Sequence, residues 1–179
     1  MFLRLLFMTA LAGAVISCTT DNNNGCNGAP EPAERVTVDF EWLPDAPGAI
    51  DTKADLVRLF NGREVLRDFF FNRGGYPNDS AFIRELHNRF TNPAFDTLAL
   101  ETRRVFGDGA ALKKQFEDAF SNFRHYYPEF NAPRVMATIS GMETDLYISD
   151  TLVIVGLDFY LGRGAKYRPD TYGYMLRRY

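Results

Sequence analysis

An acidic side chain directly after an apolar segment is the first candidate for chemistry in this sequence. Asp158 lies within residues 150–164, DTLVIVGLDFYLGRG, where five residues typical of a buried strand precede a Gly-Leu-Asp-Phe-Tyr-Leu-Gly run. A carboxylate in such surroundings needs a polar partner, either loop amides or Arg163 in a structural role, or a bound ligand. We favour the structural role. The candidate loop consists of Gly156, Asp158, Tyr160 and Gly162.

Three further carboxylates occur close to this loop in the sequence, namely Glu143, Asp145 and Asp150. Paired carboxylates can act as acid and base when their pKa values differ, and carboxylate oxygens can also gather around calcium. The residues around Glu143 and Asp150 are typical of turns, however. We therefore interpret these two positions as turn chemistry rather than as a ligand site.

The two histidines lack the spacing of a zinc site. A zinc hydrolase helix carries histidines at positions i and i+4 with a glutamate beside the first, because that spacing turns both imidazoles toward one metal ion. Thr91 stands four residues after His87, and Glu129 stands four residues after His125. The sequence also contains no Gly-x-Ser-x-Gly, phosphate-binding loop or dinucleotide fingerprint. It therefore predicts no catalytic residue, no metal and no cofactor.

The amino-terminal residues predict export and a lipid anchor. Residues 5–16 form an apolar run that is shorter than the roughly 20 residues of a membrane-spanning helix, as in a signal peptide. Cys18 follows this run as in bacterial lipoproteins, in which the cysteine is acylated and becomes the first residue after cleavage. The alternative is an ordinary secretory signal with Cys18 paired to Cys26. We adopt lipidation, and Thr19 favours transfer to the outer membrane, on its periplasmic side.

The remaining sequence divides into a tether and one domain. Residues 1–17 are the predicted signal peptide, and residues 18–34 form a flexible tether because Asn, Gly and Pro dominate there. Residues 35–179 have the apolar content of a single folded domain. A formal net charge of -3 and the lack of a Lys/Arg run argue against nucleic acid as a partner.

Helical periodicity and capping signals fill the first half of the domain. An apolar stripe over residues 56–70 is interrupted at 61–62, which predicts one kinked helix or two short ones. Further helices are predicted after residues 78–80, from Asn92 to Gly107, and from Asp108 to the proline at position 128. Each of these starts at a side chain that can accept hydrogen bonds from first-turn amides.

Strand periodicity follows after residue 133. Residues 134–140 and 151–155 are rich in β-branched side chains, and 145–148 is a shorter candidate. Residues 35–42 alternate between apolar and polar side chains, which indicates either a half-buried strand or an extended arm. We therefore predict an α+β fold in which an N-terminal helical segment precedes a small antiparallel sheet. Residues 171–179 resemble the first turns of another helix, so we expect the natural sequence to continue.

Two segments are distinctive, FEDAFSNFRHYYPEFNAPRVMATISG at 116–141 and TLVIVGLDFYLG at 151–162. Together with the lipoprotein signal they resemble the gliding-motility lipoprotein GldB family of Bacteroidota, and the resemblance extends over about residues 38–179. It implies a non-enzymatic envelope protein that supports gliding motility or the type IX secretion machinery. The implied partners are the lipid bilayer, through acylated Cys18, and other envelope motility or secretion proteins.

Two other functions stay open at this point. The family is distantly similar to predicted zinc proteases, so the chain could be the upstream half of a zincin-like fold whose His-Glu-x-x-His helix lies in a missing C-terminal part. Alternatively, the many tyrosines could serve as stacking platforms in a secreted glycan-binding module. The resemblance favours the envelope lipoprotein over both.

Overall fold

Helices lie on both faces of a four-stranded sheet in the part of the chain that the structure describes. The structure is a computed structural model and describes residue 32 and residues 34–43 and 49–167. The strands are β1 (Phe40–Trp42), β2 (Arg134–Thr138), β3 (Leu146–Ile148) and β4 (Leu152–Gly156). The α-helices are α1 (Lys53–Phe60), α2 (Asp79–Phe90), α3 (Pro93–Phe106) and α4 (Ala110–Tyr126). The predicted α+β class is confirmed.

Three shorter helical turns complete the described part of the chain. A π-helical turn spans Leu66–Phe70, and 3₁₀ turns span Arg73–Gly75 and Leu157–Tyr160. The helical stripe predicted over residues 56–70 is therefore two short segments, because α1 ends at Phe60 and the chain turns before the π-helical segment.

The helices begin and end at capping residues. Thr52 starts α1 with a capping box that it forms with Asp55. The Asn92 side chain accepts a hydrogen bond from the first turn of α3, and Gly107, with φ of 61°, ends that helix. At α4 the sequence predicted Asp108 as the capping residue, but the capping position is Gly109. The Asp108 carboxylate still accepts a hydrogen bond from the first amide of the helix at 3.0 Å. Local chemistry therefore sets most helix ends.

The sheet is mixed, and the prediction of an antiparallel sheet is wrong for two of its three pairings. The strand order is β1-β2-β4-β3, with β1 and β4 both parallel to β2 and only β3 antiparallel to β4. The physical reason is that β2 and β4 are covered on both faces, a setting in which parallel strands are near-continuous apolar runs. The runs VMA and LVIV carried that signal in the sequence.

Each face of the sheet contributes to its own apolar cluster. Met136 and Ile154 face α1, α2 and α3, where phenylalanines from the helices and the π-helical turn fill the larger cluster. Val135 and Val153 face the other way and pack with Phe120 of α4. Side chains of β2 and β4 therefore belong to both clusters, and the carboxyl ends of these strands extend from the packed centre of the sheet.

Residues 35–42 combine the strand and the arm that the sequence allowed. Phe40, Glu41 and Trp42 pair with β2, while Val36 and Val38 lie along α4. The Val36 amide donates to Ser121 Oγ at 2.9 Å, and the Val38 amide donates to Glu117 Oε1 at 3.3 Å. Side chains of α4 therefore satisfy backbone donors that a sheet would otherwise pair.

Several predictions concern residues outside the described part. These are the signal peptide, most of the tether with Cys18 and Cys26, and the helix expected over residues 171–179. Within the described part, no helix has both the length and the apolar character needed to span a membrane.

Candidate functional site

The candidate site lies where the central parallel strands β2 and β4 end. Ser140 follows β2 and Asp158 follows β4, and parallel pairing brings these carboxyl ends side by side. In open sheets with parallel strands, this edge is where ligands commonly bind. The chemistry of the site therefore depends on what the two side chains contact.

Asp158 is fully buried and accepts three hydrogen bonds from residues 140–142. The Ser140 amide donates to Oδ1 at 3.1 Å, and the Ser140 hydroxyl donates to Oδ2 at 3.1 Å. The Met142 amide donates to the same Oδ2 at 2.6 Å. Ser140 is also fully buried, so this carboxylate makes its contacts inside the protein rather than at a solvent-facing surface.

The hydroxyl of Ser140 extends the network through the following turn. Its oxygen accepts hydrogen bonds from the amides of Glu143 at 3.1 Å and Thr144 at 3.2 Å. Gly141 and Met142 between them both have positive φ, 78° and 64° respectively. A non-glycine residue adopts this conformation only where its surroundings hold it there, and the hydrogen bond to Asp158 does so for Met142.

Burial raises the pKa of Asp158 above its usual range, because removing the carboxylate from water disfavours its charged form. The hydrogen bonds from Met142 and Ser140 act in the opposite direction, since they stabilise the carboxylate. Burial is the larger effect. Asp158 is thus a desolvated acid whose two carboxylate oxygens already accept hydrogen bonds from the turn at residues 140–142.

The other three residues of the predicted loop have distinct places in the structure. At Gly156 a Cβ atom would lie 2.2 Å from the Thr144 carbonyl oxygen, so only glycine allows the turn to approach β4 this closely. Gly162 has φ of 86°, which favours glycine after the 3₁₀ turn. Tyr160 is on that turn and is partly exposed. All three lie near Asp158 in sequence, and the Asp158 carboxylate is the group that accepts the hydrogen bonds described above from Ser140 and Met142.

A small cavity borders the same turn. Its volume is about 200 Å³, and its mainly apolar lining includes Phe95, Leu98, Met142 and Tyr167. Arg89 lies at its edge, donates to the Ser140 carbonyl oxygen at 3.5 Å and forms an ion pair with Glu143 at 3.3 Å. The cation therefore supports the turn from outside, while Asp158 supports it from inside.

The remaining sequence candidates lie apart in different local settings. His87 Nε2 lies 3.1 Å from the carbonyl oxygen of Asp51, and His125 packs edge-on against Tyr126. Asp150 is exposed in the short connection between β3 and β4. In residues 34–43 and 49–167, no group of three or more His, Cys, Asp and Glu side chains is placed to hold a metal ion.

Sequence reasoning identified Asp158 but missed Ser140 and Met142 as its partners. Ser140 precedes a glycine directly after a strand, and a serine at such a position commonly accepts hydrogen bonds from amides of the turn that follows. The Ile-Ser-Gly sequence at residues 139–141 carried that signal. The parallel pairing of β2 with β4, which the sequence analysis did not predict, is what brings Ser140 next to Asp158.

The fold and site together define an α+β domain in which a buried carboxylate organises a turn at the ends of parallel strands. A family model described as gliding motility protein GldB matches residues 34–179. The chain therefore belongs to the GldB family of gliding-motility lipoproteins, and the resemblance found in the sequence is confirmed. A comparison with curated proteins gave no match, and neither did one with solved structures.

Proposed function

We propose that this protein is a lipid-anchored, non-enzymatic component of the cell envelope that supports the gliding-motility or type IX secretion machinery. The observation that carries the proposal is the family match, which covers residues 34–179. A protein of this kind acts by presenting a folded domain to other envelope proteins. Its functional requirements are then an anchor, a stable domain and an exposed binding surface.

The non-enzymatic role is supported by the contacts of Asp158. A general acid or base must lie within hydrogen-bond reach of its substrate. Asp158 has no exposed surface, and both carboxylate oxygens accept hydrogen bonds from Ser140 and Met142. Such a group stabilises the turn at residues 140–144, which is a structural task.

The anchor is the acylated Cys18, on the periplasmic side of the envelope and at the outer membrane. The support comes from the sequence, where Cys18 follows the apolar run and precedes a polar, Gly- and Asn-rich segment. Each buried methylene of an acyl chain adds about 0.8 kcal/mol, so several chains retain a protein on the bilayer.

The proposal is tested by complementing a strain that lacks the gene. The wild-type chain should restore colony spreading, be found in the membrane fraction and incorporate radioactive palmitate. Cys18→Ser should lose the palmitate label, the membrane association and the spreading. Cys26→Ser is the matched control, since it removes the other cysteine and should behave as the wild type.

The two cysteine variants also separate lipidation from the disulfide alternative. If Cys18 and Cys26 formed a disulfide, both variants would have the same effect and neither would change palmitate labelling. If Cys18→Ser stayed labelled in the membrane fraction, the anchor would be wrong. If the wild-type chain failed to restore spreading, the motility function would be wrong.

A further inference from the structure

The outer edge of the sheet at β3 presents backbone groups that no described strand pairs. β3 is the last strand in the order β1-β2-β4-β3. The Gly156 amide donates to the Asp145 carbonyl oxygen at 2.8 Å, and the Ser149 amide donates to the Leu152 carbonyl oxygen at 2.9 Å. Antiparallel strands alternate between bonded and non-bonded pairs. The backbone N–H and C=O groups of Tyr147, which lies between these two bonds, therefore point toward β4.

By the same alternation, the backbone groups of Leu146 and Ile148 point away from β4. Both residues stand in non-bonded pairs, opposite Val155 and Val153. Their N–H and C=O groups therefore form a short, outward-facing edge in the described part of the sheet. An exposed edge of this kind is a template for pairing with another extended chain.

The side chains of the same two residues are exposed on the α4 face of the sheet. Ile148 is 66% exposed and Leu146 is 40% exposed, and Phe123 of α4 is 50% exposed nearby. Between α4 and the β3–β4 hairpin lies an open groove of about 770 Å³. Its apolar lining consists of Phe116, Phe120, Phe123, Phe130, Leu146, Ile148 and Val153, with Pro133. Backbone edge and apolar groove thus form one continuous surface, which we name the β3 groove.

The charges around the β3 groove select the kind of chain that could bind there. Glu129 and Asp150 are the charged residues among those that line it, and both are acidic. The stretch 143–151, ETDLYISDT, contains three acidic residues and no Lys or Arg. A second copy of this strand would bring like charges together, which disfavours self-pairing. A basic partner would instead gain from charge complementarity.

We propose that the β3 groove binds an extended, basic segment of another envelope protein, which adds to the sheet as a strand beside β3. Backbone hydrogen bonds to Leu146 and Ile148 supply the pairing, and alternate side chains supply selectivity. The residues opposite Leu146 and Ile148 are apolar and enter the groove, while flanking Lys or Arg side chains face the acidic residues. The inference rests on the proposed function, because it identifies the surface through which the anchored domain meets its partner.

The first test measures amide exchange by NMR on the full chain solubilised in detergent. In the free protein, the amides of Leu146 and Ile148 should exchange fast, while the Tyr147 amide, which bonds to β4, should exchange slowly. The probe is a blocked peptide, Lys-Lys-Val-Thr-Val-Lys-Lys. It should slow exchange at Leu146 and Ile148 and leave Tyr147 unchanged. Slow exchange at both sites without peptide would overturn the proposal, because another part of the chain or a second copy would already cover them.

The second test separates strand pairing from simple charge attraction. Ile148→Pro removes an outward N–H group and leaves the bonds of Tyr147 and Ser149 to β4, so it should weaken binding of the basic peptide about tenfold. Ile148→Val keeps that N–H group and should bind within about twofold of the wild type. Equal binding by Ile148→Pro and Ile148→Val would overturn the proposal.

A third comparison tests whether the partner must be basic, and it uses no variant that alters the backbone of β3. The same peptide with Glu in place of Lys should bind at least about tenfold more weakly to the wild-type chain. Asp150→Asn should reduce affinity for the Lys peptide a few-fold at low salt and much less at high salt, because exposed charges are screened. Equal binding of the two peptides would overturn the basic character of the partner. These binding results are independent of palmitate labelling and colony spreading, so they can fail while the anchored-lipoprotein function stands.

Discussion

Ser140 and Asp158 form a buried pair that joins the ends of two neighbouring parallel strands. The Ser140 amide and hydroxyl both donate to the carboxylate, and the same hydroxyl oxygen accepts two amides from the following turn. A change at Asp158 therefore affects residues 140–144 directly, through the amides of Ser140 and Met142, and indirectly, through the Ser140 hydroxyl. Because the pair is inaccessible to solvent, its effect on function should pass through stability.

Replacing Asp158 should separate a structural carboxylate from a reactive one. Asp158→Ala leaves the donors of Ser140 and Met142 without an acceptor, which should cost about 1–3 kcal/mol of unfolding free energy. Asp158→Asn keeps one acceptor oxygen but turns an N–H₂ group toward another donor, so its effect should be intermediate. Thermal unfolding and colony spreading of complemented strains are the measurements, and they should decline together.

The two substitutions also have a clear contrary outcome. A catalytic carboxylate would lose function in Asp158→Asn with little change in stability, since the amide keeps the shape and loses the charge. Variants that both unfold at the wild-type temperature and both abolish spreading would show that the loop is a functional site rather than a structural one.

Local signals in the sequence predicted more of this protein than non-local ones. A cap within residues 78–80 and one at Asn92 were predicted, because a side chain and the amide that it caps lie within three residues; Asn78 and Asn92 are the capping residues in the structure. The parallel direction of β2 and β4 was not predicted, because the turn residues between positions 140 and 150 suggested antiparallel hairpins. In the described part of the chain, β3 lies in the connection between β2 and β4 and pairs with β4 alone. For the same reason Asp158 was found by its own surroundings, whereas its partner 18 residues away was not.

The raised pKa of Asp158 predicts how stability depends on pH. Since the folded-state pKa lies above that of the unfolded chain, about 3.9, the folded state holds a proton that the unfolded state has lost between these two values. The contribution of Asp158 to stability is therefore fully present below the pKa of the unfolded chain and is lost as the pH rises through the folded-state pKa. Asp158→Asn cannot titrate and serves as the reference.

Chemical unfolding at a series of pH values checks this dependence. The unfolding free energy of the wild type minus that of Asp158→Asn should fall as the pH rises from about 4 and then become constant. Taking the difference removes the contributions of the other carboxylates, which both chains share. A difference that grows with rising pH would mean that the hydrogen bonds outweigh burial and lower the pKa of Asp158.

The purified full chain should contain no tightly bound zinc. In the described part, His87 lies beside a backbone oxygen, His125 packs on Tyr126, and no set of three ligand side chains converges. A zinc site needs at least three such protein ligands. Elemental analysis after dialysis against a weak chelator is the measurement. One equivalent of retained zinc would contradict the prediction and favour the zinc-protease-like hydrolase.

Gly156 should tolerate no side chain, for a steric rather than a conformational reason. Its φ of -81° is accessible to any residue, but a Cβ would lie 2.2 Å from the carbonyl oxygen of Thr144. That oxygen cannot easily move, because the Thr144 hydroxyl donates to the Phe70 carbonyl oxygen at 2.9 Å. Gly156→Ala should therefore lower the unfolding free energy by about 1–3 kcal/mol, as overpacking does.

Gly164→Ala is the control, since nothing lies within 4 Å of its Cβ position, and it should change stability by less than about 0.5 kcal/mol. Urea unfolding compares the two variants, and equal midpoints would show that the turn does not approach β4 as closely as the structure places it.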